Sequence, residues 1–137
     1  MTVLKHHHPL VLHMEAELLP LFQAALPSLA QAAPQALASV FAFSTGTHAS
    51  FLEYRFGISC LLDEVADDQP DELLLLVTVS GLDGDARLGA CVRWGPPSDR
   101  VEMQAVLAQA SMPALHAALP GLLSALQAAL VRGAPAA

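Results

Sequence analysis

Residues 18–52 and 103–131 contain no aspartate, glutamate, lysine or arginine. Stretches this long without charge must be covered by something, either lipid or the rest of the protein. Their length alone permits a bilayer crossing. Their content argues for protein. The first run holds Pro20, Pro27, Pro34, Gln23, Gln31, Gln35, Ser28 and Ser39. The second is interrupted by Gln104, Gln109, Ser111, Pro113, Pro120, Ser124 and Gln127, and much of the remainder is alanine. Both runs read as buried or half-buried helices of a cytoplasmic domain, with no membrane span expected.

Proline sets how those helices are laid out. An interior proline removes a backbone donor and clashes with the preceding turn, at about 3 kcal/mol. Pro20, Pro27 and Pro34 recur every seven residues, which predicts short helices, or one kinked helix, restarting near each of them. Leu26, Leu29, Ala33, Leu37 and Val40 form one stripe, opposite Ser28, Gln31, Gln35 and Ser39. The stripe ends at STGTH, residues 44–48, where Gly46 signals a loop. A second helix is expected from Ser111 as N-cap, with Pro113 in its first turn. Its stripe is Leu115, Leu119, Leu122, Leu126 and Leu130, with Pro120 kinking or restarting it and Arg132 and Gly133 closing it. AALP occurs in both helical runs, at 24–27 and 117–120. The echo reflects shared leucine-alanine composition and proline placement rather than a duplication.

Between the runs the period changes to two. In FLEYRFGISCLL, 51–62, Leu52, Tyr54, Phe56, Ile58 and Cys60 share a face, opposite Glu53, Arg55, Gly57 and Ser59. LLLLVTVS, 73–80, is a strand bounded by the polar connection DEVADDQPDE, 63–72, and the hairpin turn GLDGD, 81–85. ARLGACVRW, 86–94, turns Leu88, Ala90, Val92 and Trp94 inward. After GPPSD, 95–99, RVEMQAVLA, 100–108, turns Val101, Met103, Ala105 and Leu107 inward. Short connections between consecutive strands make an antiparallel meander. The fold expected is α+β: a four-stranded antiparallel meander with proline-broken N-terminal helices and a C-terminal helix packed on one face. Residues 14–137 form the single domain. Residues 1–13 are expected to be a disordered tail, or an extension ahead of the natural start or from an expression tag. His6, His7 and His8 in it are a metal-binding composition without a preorganised site.

Charged residues are 14% of the chain, against about a quarter in typical domains. A surface this poor in charge suggests a covered portion, so a homodimer is expected. The net charge is −7, and the six bases (Lys5, Arg55, Arg87, Arg93, Arg100 and Arg132) are scattered. A nucleic-acid footprint needs them clustered, so no nucleic-acid partner is expected. Cys60 and Cys91 show no metal-ligand spacing and fall on opposite sheet faces, as two free thiols in a reducing compartment would.

No motif carries catalysis or a cofactor, and none is expected. STGTHAS, 44–50, pairs hydroxyls with His48 but lacks the phosphate-loop pattern GxxxxGK[ST] and the GxSxG elbow. A helix-to-strand loop has the same composition. The carboxylates of 63–72 lack the alternating ligand spacing of a calcium loop and read as a solvated connection. Arg55, Arg87 and Arg93 share the polar sheet face with Leu74 and Leu76, a set suited to an acidic peptide or a carboxylate. Pairing with Glu53 and Glu102 on that face is the simpler account of them. His48 completes the candidate contact residues.

The function expected is a non-enzymatic protein-interaction module, a small acidic homodimer that binds another protein. Such an architecture is loosely similar to that of type III secretion chaperones, which place a helix among their strands where this chain has only GPPSD. The alternatives are a small-molecule binder or enzyme with a pocket between helices and sheet, and an immunity or antitoxin partner, which the acidic charge suits.

Overall fold

The computed structural model describes residues 9–47, 50–63, 65–80, 87–107 and 112–135. Helix α1 (Pro9–Ala32) is followed by β1 (Ala36–Thr47), β2 (Ser50–Leu62), β3 (Glu72–Ser80), β4 (Arg87–Trp94), β5 (Val101–Leu107) and helix α2 (Met112–Arg132). The strands form one antiparallel sheet in the order β1-β2-β3-β4-β5. The architecture is α+β with five strands rather than four. The added strand is β1, in the segment whose spacing suggested a continuing helix.

Two properties of the sequence turn 36–47 into strand. Pro34 closes α1 through a tight turn, with the Ala36 amide donating to the Ala33 carbonyl at 3.0 Å. The residues beyond, VFAFSTGT, are rich in β-branched and aromatic types that suit a pleated surface. Laid antiparallel on β2, the strand pairs Ala36, Ala38 and Val40 with Leu62, Cys60 and Ile58. These residues thereby extend the apolar face of the sheet. Leu37, read as part of a buried stripe, instead lies on the other face and is 69% exposed. Residues 44–47 of the expected loop are the end of this strand.

The N-terminal helix is a single element with Pro20 and Pro27 inside it. Seven-residue spacing puts both prolines on one side of the helix, and both are exposed. The carbonyls they leave without an intrahelical donor belong to Ala16 and Gln23, also exposed residues, so the lost bonds fall on the solvent side of the helix. The opposite side buries Val11, Met14, Leu18, Phe22 and Leu29. Pro9–His13, set apart from the domain by the sequence pattern, are the first turns of this helix, and Val11 is fully buried. Pro120 likewise lies within a continuous α2, on its exposed side.

The core is the space between the helices and one sheet face. Tyr54, Phe56, Ile58 and Cys60 of β2, Leu73, Leu75, Val77 and Val79 of β3, and Leu88, Ala90, Val92 and Trp94 of β4 are all buried. All five leucines of the expected α2 stripe are buried against them, with Ala129. By length and composition α2 could cross a membrane. Here its leucines pack on the sheet, and core helices of globular domains meet the same criteria. Phe22 of α1 packs on Phe56 at a ring-centroid distance of 6.3 Å, and Tyr54 packs on Phe56 at 5.7 Å. The Tyr54 hydroxyl donates to the Glu15 carboxylate of α1.

One irregularity changes which residues face the core. Val92 pairs with Met103 but Arg93 pairs with Val101, so Glu102 has no partner opposite. This bulge puts Glu102 on the helix side beside Met103. There its carboxylate accepts the Trp94 indole N–H at 2.8 Å and lies 2.6 Å from an Arg132 nitrogen of α2. Val101, expected inside, is 48% exposed. The bulge therefore places Glu102 on the face opposite Arg55, Arg87 and Arg93, not on theirs as expected.

Gly57 is required by close approach: a β-carbon there would lie 1.8 Å from the Leu75 carbonyl oxygen. Gly57→Ala is expected to destabilise the protein by about 3 kcal/mol, the upper end of overpacking costs, as measured by urea denaturation. Glu102→Ala should cost about 1–3 kcal/mol in the same assay, because it leaves the buried Trp94 N–H without an acceptor.

Candidate functional site: the uncovered face of the sheet

Both helices lie on one face of the sheet, so among the described residues no helix covers the opposite face. The register sets its side chains in rows. Ser39, Ser59, Leu74 and Arg93 form one row across β1 to β4, and Phe41, Gly57, Leu76 and Cys91 form the next. The result is a recess of about 490 Å3 with apolar walls from Phe41, Leu74, Leu76 and Pro96 and polar groups from Arg55, Ser59, Glu72 and Arg93. A smaller recess of about 250 Å3 lies past Leu76 toward β5, lined among others by Thr78, Arg87, Cys91 and Gln104.

The arrangement divides the expected contact residues. Arg55, Arg93, Leu74 and Leu76 line the larger recess together. Arg87 belongs to the smaller one, six residues along β4 from Arg93, or about 20 Å in an extended strand. Three converging arginines are thus reduced to two. His48 lies outside the described residues. The remaining contributors, Ser39 and Phe41, were hidden by the helical reading of 34–43. Their signal was the strand-forming composition of VFAFSTGT. Ser59 was legible in phase but not in proximity, and Glu72, read as the end of the polar connection, is the first residue of β3.

Charges on this face are held by short-range partners. The Ser59 hydroxyl donates to Glu72 at 2.8 Å. Arg93 donates to Asp99 at 3.1 Å. The turn after β4 makes that contact possible, since Asp99 sits at φ 52°, a left-handed conformation that aspartate tolerates better than most residues. Arg55 is half-buried in the recess. An apolar floor flanked by two guanidinium groups and hydroxyls suits a carboxylate-bearing ligand or an amphipathic protein surface.

Among the described residues no group of three histidine, cysteine, aspartate or glutamate side chains comes together to hold a metal. Asp63, Asp67, Asp68 and Asp71 of the β2–β3 connection are exposed. His13 lies 3.8 Å from Glu17 on the exposed side of α1, and His116 is half-buried on α2. Phe22, Tyr54, Phe56 and Trp94 are buried at the helix–sheet interface, where a pocket was the alternative expectation. A notch of about 210 Å3 lies between the helices, beside Leu29 and Leu123.

Cys60 and Cys91 are free and sit on opposite faces. Burial, reinforced by the nearby charge of Glu72, pushes the Cys60 thiol up to about 12. Burial also raises Cys91, opposed by Arg93. Tyr54 is raised first by burial, then by its hydrogen bond to Glu15 and that carboxylate's charge. The chain matches no protein-family model, no curated protein and no solved structure.

The thiol shifts set a pH dependence. An unfolded thiol ionises near 9, whereas Cys60 in the fold keeps its proton until about 12. Between those values only the unfolded state is stabilised by losing the proton, so folding stability should fall as pH rises through that window. Thermal melts at pH 7, 9 and 10.5 should show a progressive drop, and Cys60→Ala should flatten part of it.

Proposed function

We propose that the protein is a non-enzymatic interaction module, a small acidic homodimer that receives another protein on the uncovered sheet face. The observation that carries this reading is the recess of about 490 Å3, where Leu74, Leu76 and Phe41 stand beside Arg55 and Arg93. A sheet covered on one face only, with leucines and arginines on the other, has the mixed character of a protein-binding surface: an apolar centre with arginine at its border. Low overall charge supports an association that covers further surface. Free thiols on both faces support a reducing compartment, the cytoplasm. Nucleic acid and membrane are not among the proposed partners, given the net charge of −7 and the packing of α2 on the sheet.

A second reading has its own support. The recess falls within the usual size of small-molecule sites, roughly 300–1,000 Å3, and its polar groups suit a small carboxylate. It lies on the sheet face opposite the helices, not between helices and sheet.

Light scattering coupled to size-exclusion chromatography should give the mass of a dimer. Pull-down from native lysate should recover a protein that Leu76→Asp and Arg93→Glu each retain at least about ten-fold more weakly, a loss of some 1.4 kcal/mol or more. Identical recovery by wild type and both variants would refute binding at this face. A low-mass ligand released on denaturation in native mass spectrometry would favour the second reading.

A further inference from the structure

We propose that β1 is the seam of the homodimer: two copies pair their β1 strands antiparallel about a two-fold axis, joining two five-stranded sheets into one of ten. This rests on the homodimer reading above and specifies its interface.

The two edges of the sheet are built differently. β5 is seven residues long, and its bulge at Glu102 interrupts the ladder. Short, bulged edges are how sheets avoid pairing with other chains. β1 has twelve residues, ALASVFAFSTGT, with no charge and no proline. At about 3.3 Å per residue it offers an edge of roughly 40 Å. It has a register shift only near its end, between Thr45 and Gly46.

Side chains on both faces of β1 are incompletely covered. On the helix side, Ala36, Ala38 and Val40 reach the core but stay half-buried. On the other side, Leu37 is 69% exposed beside its cross-strand partner Leu61, 48% exposed. One more strand alongside would extend both faces at once, because alternate residues of an added strand point to each face.

The charge pattern selects a second copy as the occupant. In a symmetric antiparallel pair every contact is made twice, and residues near the axis meet their own counterparts. A charge there would face its like, which is destabilising. β1 lies wholly inside residues 18–52, which contain no charged side chain, so self-pairing meets no such repulsion in any register. The pairing also sets the two outer recesses next to each other, since Ser39 and Phe41 form the β1 wall of each.

The test uses Leu37→Lys/Ala42→Lys, both sites exposed in the single chain, with Val101→Lys at the opposite edge as the control. Sedimentation equilibrium should give a dimer for wild type and Val101→Lys, and at least a ten-fold higher dissociation constant for the double variant. Its far-ultraviolet circular dichroism should be unchanged. Should the double variant not fold, hydrogen exchange on wild type decides: amides of 36–47 should exchange at least ten-fold slower in the dimer than in diluted monomer. A wild-type dimer with an unaffected double variant, or with equal exchange in β1, overturns the seam and leaves the homodimer standing. A monomer at all concentrations overturns both. Protection of β1 only by another protein's strand also overturns the second copy as occupant.

Discussion

The structure depends on one apolar sheet face that must be kept from water. Strict alternation in β2, β3 and β4 gathers aromatic, branched and leucine side chains on one side of the meander. Burial of that surface is the main favourable contribution to folding. The helices follow from it. Each brings a stripe without charge, and each tolerates proline because the prolines sit on the side away from the sheet. Tertiary packing outweighs intrinsic helix propensity in helices of this kind.

The polar bonds that cross layers serve the same face. Trp94 completes the apolar set of β4, and its indole N–H would be stranded there without Glu102. The bulge in β5 brings that carboxylate to the helix side, and Arg132 at the end of α2 meets it. Tyr54 is handled in the same way by Glu15 of α1. Among the described residues no buried side-chain polar atom lacks a partner. Each helix is thereby tied to the sheet by a carboxylate whose position depends on the backbone around it.

Placing both helices on one side leaves the other free for function. There the same alternation delivers arginines, serines and leucines, and a recess lies among them. Apolar floor and guanidinium rim arise from one strand pattern. The phase of β2, β3 and β4 was legible in the sequence, so Arg55, Arg93, Leu74 and Leu76 could be assigned to one face before their distances were known. Arg87 shared that phase but not the recess, because period two specifies a face and says nothing of position along it.

What the sequence determined by itself is the set of periodicities: three alternating strands, a leucine stripe in α2, and two thiols on opposite faces. Those are local properties, set by side-chain spacing against a fixed backbone repeat. The tertiary structure decided the rest. β1 became strand because β2 offered it a ladder and an apolar face, although Leu26, Leu29, Ala33, Leu37 and Val40 also fit a helix. Pro20 and Pro27 stayed within one helix because they lie on its exposed side, away from the packed face. Glu102 turned inward because a one-residue bulge shifted its register, and no spacing rule records where a ladder slips.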